Sequence, residues 1–317
     1  MFFDDNTCLL CPNECGVDRR NTFGRCQCGA EIVAARAGLH FFEEPCVSGV
    51  NGSGTVFFSG CHMRCTYCQN HLISRPPVGK KLSELKSDKD GRGNNVRTPV
   101  GKELSVHGLI RIFKALEEQK AHNINLVSPT HFSHKIYEAL SLYRPNIPVI
   151  YNTNGYEKMS VIARMKEVVD VYLTDYKYAD KGAAAELSAC PNYPDTADSA
   201  IAEMIKTKGK PTFDKDGTIL SGVIIRHLVI PSYLQNSLDA LTRIAKYKDD
   251  AIISIMNQYT PLAELNLPEK INRKLKPIEY KIVLKKAEEL GIDHAYIQEE
   301  DACGKEFIPA FDFSGLF

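Results

Sequence analysis

The feature that most constrains the fold is a regular alternation of short apolar runs and amphipathic stretches from residue 55 onward. Runs rich in β-branched and aromatic residues predict buried strands. Stretches with apolar residues at helical spacing separate these runs and predict helices, one of them opened by Ser105 as its N-cap. This order favours parallel βα units in an open sheet or in a full or partial barrel, an α/β fold class. The predicted strands are 55–59, 124–128, 147–152, 170–174, 222–230, 251–256 and 294–298.

The first 50 residues have a different character, with many cysteines and turn formers and little periodicity. We therefore divide the chain into a cysteine-rich N-terminal segment, 1–50, and a βα domain, 51–317. Inside the domain, residues 75–102 are rich in Lys, Asp, Gly and Asn, which predicts an exposed loop or insertion. A nucleic-acid interpretation of its basic residues is less favoured, because acidic residues are interspersed.

Composition narrows the functional classes. Acidic and basic residues balance at 39 each, so there is no general electrostatic case for binding nucleic acid or an acidic membrane. The N-terminus lacks a basic region followed by an apolar run, and no stretch of membrane-spanning length is uninterruptedly apolar. We expect a cytoplasmic protein without a membrane partner.

The cysteines carry more information than the overall composition. Nine of the 11 lie between Cys8 and Cys68, several of them in CxxC-like spacings. Because no secretion signal is recognised, such spacings favour metal ligands over disulfides.

Three of these cysteines, Cys61, Cys65 and Cys68, form a CxxxCxxC pattern directly after a predicted strand. The carboxyl ends of parallel strands carry the active sites of α/β folds. Three thiolates suit a cubane iron–sulfur cluster that keeps one iron open for a substrate or cofactor. The alternative is a zinc knuckle in which His62 or His71 completes a tetrahedral site.

This pattern, with the aromatic Tyr67 before its last cysteine, resembles the cluster motif of the radical S-adenosylmethionine superfamily. Further segments resemble its PflX group, relatives of pyruvate formate-lyase activating enzymes, and they span most of the chain outside 75–102. These segments are CLLCPNECGVDR, FEEPCVSG, VFFSGCHMRCTYCQN, AHNINLVSPTH, YNTNGY, RHLVIPSY, MNQYTP and FIPAFD. The resemblance implies a partial parallel (β/α) barrel of the radical SAM type with a 4Fe–4S cluster on the three cysteines.

The resemblance also implies which residues bind S-adenosylmethionine. Activating enzymes have a Gly-Gly-Glu segment where this chain has Ser128 to His131, so we expect Thr130 or a backbone carbonyl to replace that contact. Lys177 is expected to pair with the methionine carboxylate. No catalytic residue is assigned. The full predicted set is Tyr67, Gln69, Ser128, Thr130, Asn152, Asn154, Asp175, Lys177 and Arg226.

Several of these assignments have structural alternatives. Asn152 and Asn154 are also turn formers in the NTNGY segment. Lys177 is equally explained as a surface lysine. Arg226 lies within a predicted buried strand, where a structural ion pair is the simpler explanation for its charge.

A second predicted metal site lies in the N-terminal segment. Cys8, Cys11, Cys15 and Cys26 supply four thiolates, enough to close a tetrahedral site. Structural zinc and an auxiliary iron–sulfur cluster are equally compatible with this pattern.

These observations predict a radical SAM enzyme that cleaves S-adenosylmethionine to a 5′-deoxyadenosyl radical for hydrogen abstraction. The most specific hypothesis is activation of a glycyl radical enzyme, with flavodoxin or ferredoxin as electron donor. Radical modification of another peptide, a small molecule or RNA is the alternative within enzymes. A non-catalytic zinc or electron-transfer module is the alternative from another class.

Overall fold

The computed structural model describes residues 7–75, 100–298, 304 and 308–317. Most of the predicted insertion, residues 76–99, lies outside the described residues, and so does Cys303.

The strands follow the predicted alternation and add three that the sequence did not mark. The additional strands are β1, β3 and β7. In chain order the strands are β1 (Ile32–His40), β2 (Ser53–Phe58), β3 (Lys102–Leu104), β4 (Ile124–Val127), β5 (Val149–Thr153), β6 (Val171–Asp175), β7 (Thr212–Phe213), β8 (Ile219–Leu228), β9 (Ile252–Met256) and β10 (Tyr296–Ile297).

Helices connect most of these strands. Ser105 caps α3 as predicted, because its side chain accepts a hydrogen bond from the backbone N–H of Gly108 at 3.0 Å. The α-helices are α1 (Pro45–Ser48), α2 (His71–Ser74), α3 (Val106–Glu118), α4 (Ser133–Leu142), α5 (Met159–Met165), α6 (Lys181–Ser188), α7 (Tyr193–Lys208), α8 (Leu234–Ile244) and α9 (Pro277–Glu289).

One mostly parallel sheet organises the described part of the chain. Its order is β10-β9-β8-β6-β5-β4-β2-β1-β3, and β7 pairs with β8 off this path. The strands from β2 to β10 along this path pair in parallel, whereas β1 is antiparallel to both β2 and β3. Since β10 and β3 are the two edges, the sheet is open. The predicted α/β class with parallel βα units is confirmed.

The two faces of the sheet bury different partners. Val56, Leu126 and Tyr151 belong to the main core together with residues of the covering helices. On the other face, Ile150 and Leu173 form a smaller core with Cys46 and Val47 of α1. The segment between β1 and β2, which contains α1, therefore covers one end of this second face. A cavity remains at the carboxyl ends of the strands.

Strand β1 lies within the stretch that the sequence analysis assigned to the cysteine-rich segment. Its first four residues, 32–35, are all buried, so no alternation of apolar and polar residues marks it as a strand. Its antiparallel pairing with β2 joins this stretch to the sheet. Within the described residues, no helix has both the length and the apolar character needed to span a membrane.

Candidate active site

The cavity at the carboxyl edge of the sheet has a volume of about 230 Å³. Its walls come from the ends of β2, β4, β5, β6, β8 and β9 and from the loops that follow them. Cys61, Cys65 and Cys68, called here the cavity cysteines, all line it. The segment that carries the predicted cluster motif thus lies at the edge where parallel α/β sheets place their active sites.

The loop after β2 positions the cavity cysteines. Gly60 precedes Cys61 with φ of +80°, a conformation that favours glycine. A Cβ at this position would lie 2.3 Å from the sulfur of Cys28, so a larger residue would also clash with the N-terminal segment. The three cysteine side chains are partly exposed towards the cavity.

Each cavity cysteine has a polar side chain next to its sulfur. Asn154 Nδ2 donates to Cys61 Sγ at 3.7 Å, and Ser188 Oγ donates to Cys65 Sγ at 3.0 Å. Ser74 Oγ lies 3.3 Å from Cys68 Sγ. Such donors stabilise negative charge on sulfur, as ligating thiolates require.

A chain of buried hydroxyl groups ends at Cys65. Tyr67 Oη lies 2.7 Å from Tyr178 Oη, which lies 2.6 Å from Ser188 Oγ. A thiolate on Cys65 has no proton to offer, so Ser188 donates to sulfur, Tyr178 donates to Ser188 and Tyr67 donates to Tyr178. The chain therefore has one direction when Cys65 ligates a metal.

Burial and the charge of Lys177 have opposite effects on the pKa of the cavity thiols. Withdrawal from water raises the pKa of the Cys61 and Cys65 thiols, and the positive charge of Lys177 opposes this effect. Burial alone would lower the pKa of Lys177, but the Asp175 carboxylate together with Cys65 and Cys68 outweighs this effect and raises that pKa. Lys177 Nζ forms an ion pair with Asp175, so a charged ammonium group stands beside the cavity sulfurs.

The floor of the cavity is a buried ion network. Arg226 pairs with both Glu43 and Glu44, and its Nε donates to Glu44 Oε1 at 2.8 Å. Burial raises the pKa of Glu44, but the Arg226 charge and its hydrogen bonds outweigh this and lower it overall. Asn125 and Asn152 donate to Glu43 Oε1 at 2.9 and 3.3 Å. This network matches the structural ion pair that was one interpretation of Arg226.

Eight of the nine residues predicted to bind S-adenosylmethionine line this cavity. The exception is Thr130, which is buried and donates a hydrogen bond to Glu157 Oε1 at 2.5 Å. Ser128 has φ of +56°, and its N–H donates to the carbonyl of Asn152 at 2.9 Å. The eight are Tyr67, Gln69, Ser128, Asn152, Asn154, Asp175, Lys177 and Arg226.

Sequence reasoning missed several residues of this site. His40, Glu43 and Phe57 line the cavity, and Ser188 reaches Cys65 from the end of α6. The one signal in the sequence was the pair Glu43 and Glu44, which stands between two phenylalanines and a proline. Glutamates in such an apolar turn region need a polar partner when they are buried. Ser188 carries no local signal, because its role depends on a contact with a residue 123 positions away.

The four N-terminal cysteines, Cys8, Cys11, Cys15 and Cys26, lie outside this cavity. They belong to residues 7–31, which contain turns and bends but no helix or strand. This segment packs against the loops after β2 and β4, where Asn13 donates to the carbonyl of His62 at 2.9 Å and Arg19 donates to the carbonyl of His131.

Neither cysteine group converges on a single point. Among the described residues, no three His, Cys, Asp or Glu side chains approach closely enough to hold one metal ion. A cubane cluster does not need such convergence, because each thiolate ligates a different iron. Three thiols on one cavity wall, each beside a polar donor, fit the protein ligands of such a cluster.

Comparison with known proteins places the chain among relatives. Models of known protein families give no match. The chain is 31% identical over 292 residues to a protein of Methanocaldococcus jannaschii, the uncharacterized protein MJ0674, and the alignment covers 91% of this chain and 76% of the relative. The chain belongs to the MJ0674 family. The name of this relative assigns no activity, so membership of the MJ0674 family leaves the reaction to be argued from the site.

Three solved structures are similar to this member of the MJ0674 family. Streptococcus suis SuiB bound to precursor peptide SuiA has a TM-score of 0.48 at 10% identity, with 75% of this chain and 46% of that chain covered. HydG, a maturase of the [FeFe]-hydrogenase, has a TM-score of 0.48 at 13% identity, with 75% and 48% covered. A domain of pyruvate-formate lyase-activating enzyme from Bacteroides vulgatus has a TM-score of 0.34 at 12% identity, with 61% and 91% covered. The chain spans less than half the length of SuiB and HydG, and similarities this weak carry no conclusion about activity.

Proposed function

We propose that this protein is a radical SAM enzyme whose reaction takes place in the cavity at the carboxyl edge of the sheet. The observation that carries the proposal is the set of three cavity cysteines, in CxxxCxxC spacing, on the wall of that cavity. No fourth cysteine of the described chain lines it. Three thiolates without a fourth leave one iron of a cubane free for a cofactor.

Cys61, Cys65 and Cys68 would hold the 4Fe–4S cluster, one iron to each thiolate. When bound, the cluster and S-adenosylmethionine supply a 5′-deoxyadenosyl radical that abstracts a hydrogen atom from the substrate. Asn154, Ser188 and Ser74 stabilise the three sulfurs through the polar contacts described above. Polar donors of this kind favour the thiolate form that a ligating sulfur takes.

Lys177 is the residue that we propose binds the carboxylate of S-adenosylmethionine. Its side chain is only 15% exposed, and its charge is held by Asp175 and acts on Cys65 and Cys68. It therefore lies close to the irons that those sulfurs would ligate. Gln69 is fixed on the same wall, because its Nε2 donates to the carbonyl of Gln258 at 2.9 Å.

The ion network of Arg226 orients the remaining wall. Asn152 donates to Glu43, and Glu43 is anchored by Arg226. An anchored asparagine offers its carbonyl oxygen in a fixed direction, as a ribose hydroxyl donor requires. We assign Asn152 to positioning of the nucleoside on this ground.

For the hydrogen donor we propose glycine on a partner protein, which makes the enzyme an activase for a glycyl radical enzyme. Support for this choice comes from the sequence resemblance alone. Flavodoxin or ferredoxin is the proposed source of the electron, because cleavage of the sulfonium consumes one. A pull-down under anaerobic conditions, with a glycyl radical enzyme as the expected partner, tests the choice.

The reaction itself is tested on protein reconstituted anaerobically with iron and sulfide. We expect dithionite-reduced protein to convert S-adenosylmethionine to methionine and 5′-deoxyadenosine. Replacement of Cys61, Cys65 or Cys68 by Ala should abolish this conversion, because each change leaves one iron without its thiolate. Cys46→Ala is the control, since Cys46 is buried under the sheet and lies outside the cavity lining.

Conversion that persists in all three single variants would disprove the assignment. Stoichiometric zinc in the cavity site, with no cleavage of S-adenosylmethionine by the wild type, would favour the non-catalytic module instead.

A further inference from the structure

The N-terminal segment contains a buried positive charge next to thiols. Arg19 is 2% exposed, and its guanidinium donates to the carbonyls of His131 and Gly29. No ion pair within the described parts of the chain includes Arg19, and its Nε has no hydrogen-bond partner there. Its charge acts on Cys8, Cys26 and Cys28. A buried cation needs a counter-charge, and thiolates among these cysteines are placed to provide it.

The same segment lacks the usual sources of stability. Residues 7–31 form no helix or strand, although Cys8, Cys11 and Cys26 are each at most 7% exposed. A long stretch without secondary structure is uncommon inside a compact domain unless it has a functional or structural reason. Bound metal supplies that reason in small cysteine-rich segments, because binding energy there is folding energy.

The nearby thiols differ in their hydrogen bonds. Cys28 Sγ lies 3.2 Å from the carbonyl oxygen of Ser59, so it donates a hydrogen bond and keeps its proton. The sulfur of Cys15 instead accepts from the N–H of Arg25 at 3.3 Å, and that of Cys11 accepts from Asn13 Nδ2 at 3.5 Å. Sulfurs that accept hydrogen bonds are suited to carry negative charge. Cys26 Sγ has a long contact of 3.9 Å with the carbonyl oxygen of Cys28, which opposes ligation less than the 3.2 Å hydrogen bond of Cys28.

The spacing of the sulfurs favours a cluster over a single zinc ion. Tetrahedral zinc requires four sulfurs at about 2.3 Å from one ion. No three cysteines of the described residues converge in this way, and the same holds for the cavity cysteines. In an iron–sulfur cluster the ligands bind separate irons around its outside.

We propose that Cys8, Cys11, Cys15 and Cys26 ligate a second iron–sulfur cluster, with all four positions closed and Arg19 as its buried counter-charge. This proposal does not depend on the activity assigned to the cavity. A cluster with four thiolates has no iron free for S-adenosylmethionine, so it serves structure or electron transfer.

The test uses the full-length Cys61/Cys65/Cys68→Ala variant, which removes the cavity cluster. After anaerobic reconstitution with iron and sulfide, it should retain about four iron atoms per chain, against about eight in the wild type. Dithionite should produce a paramagnetic signal that S-adenosylmethionine does not change. Adding Cys26→Ala should remove this iron, whereas adding Cys28→Ser or Cys46→Ala should not.

Zinc without iron in the triple variant would overturn the proposal, and so would a variant that binds no metal. The proposal would also be overturned if the wild type bound only about four iron atoms and the triple variant bound none. This outcome can be measured even if the variants that lack Cys26 do not fold. A residual signal that shifts on addition of S-adenosylmethionine would contradict the closed coordination. Absence of S-adenosylmethionine cleavage in the wild type, with the residual cluster of the triple variant intact, would disprove the proposed function and leave this one standing.

Discussion

The two cysteine groups differ in what surrounds their sulfurs. The cavity cysteines are partly exposed on the wall of an opening, and side chains from distant elements reach them. The N-terminal cysteines lie in an irregular segment around a buried arginine, and three of the four are nearly inaccessible. An exposed set of three suits chemistry on a bound molecule, whereas a buried set of four suits a closed centre.

The loop of the cavity cysteines nevertheless contacts the N-terminal segment. Gly60, next to Cys61, lies against the sulfur of Cys28, and Asn13 of the N-terminal segment donates to the carbonyl of His62. The loop that holds the first cavity cysteine is therefore packed against the N-terminal segment. Variants that change one cysteine group test whether metal binding at the other group depends on it.

The largest effect is expected from Arg226→Ala, at the floor of the cavity. Removing the guanidinium leaves the buried carboxylates of Glu43 and Glu44 without their cation, which should lower the free energy of unfolding by about 3–5 kcal/mol. Chemical denaturation measures this change. The stability contributed by Glu44, whose pKa is lowered, is present above the pKa of an unfolded glutamate and is lost as the pH falls towards its folded pKa.

Arg164→Ala is the matched control, because Arg164 forms an exposed ion pair with Glu167. Such pairs contribute about 0–1 kcal/mol. If Arg226→Ala lowers the free energy of unfolding by no more than Arg164→Ala does, the ion network at the floor of the cavity does not stabilise the protein. If the folded Arg226→Ala protein keeps its iron at the N-terminal cysteines, metal binding there does not depend on the ion network of the cavity.

A smaller effect is expected from Glu157, on the loop after β5 that also carries Asn154. Burial raises its pKa from 4.5 to about 7, although hydrogen bonds from Thr130 and Thr153 oppose this. The stability that this raised pKa contributes is full below pH 4.5 and is lost as the pH rises through about 7. The loss amounts to about 3 kcal/mol, since one pKa unit is about 1.4 kcal/mol.

Glu157→Gln should remove this loss, because the amide cannot ionise and still accepts both hydroxyl hydrogen bonds. Unfolding free energies at pH 5 and pH 8 check it, and the variant should lose about 3 kcal/mol less than the wild type between them. Glu138→Gln, at an exposed position on α4, should behave as the wild type. An equal pH dependence of wild type and Glu157→Gln would contradict a buried, titrating Glu157.

The smallest effect is expected from Ser188→Ala, which removes one hydrogen bond to Cys65 and breaks the hydroxyl chain from Tyr67. Donors to a ligating sulfur stabilise the reduced cluster, so their loss lowers the reduction potential. We expect about a tenfold lower ratio of reduced to oxidised cavity cluster at a fixed potential, equivalent to about 59 mV. Redox titration followed by electron paramagnetic resonance measures it.

The same titration reads both clusters and so compares the two groups directly. The proposed N-terminal cluster should keep its potential in Ser188→Ala, because Ser188 contacts the sulfur of Cys65 and not that of an N-terminal cysteine. A shift of both potentials by the same amount would show that Ser188 acts on the fold rather than on Cys65. Iron content should stay equal to that of the wild type.

The sequence by itself determined the features that depend on neighbours along the chain. The predicted strands and helices were found because hydrophobic periodicity is local, and Ser105 was recognised because a cap contacts residues three positions on. The CxxxCxxC spacing of the cavity cysteines was equally readable, since one short loop holds all three. Eight of the nine predicted binding residues line the cavity because strand ends in a parallel sheet meet at one edge.

Tertiary structure alone decided the contacts between distant residues. Arg226 meets Glu44 across 182 positions, and Ser188 meets Cys65 across 123. Thr130 was predicted to bind the cofactor, but its hydroxyl bonds to Glu157, because a turn at the end of β4 directs it into the core. No local pattern encodes such pairings, since they depend on how the sheet brings separate loops together and on which polar groups must be satisfied when water is excluded.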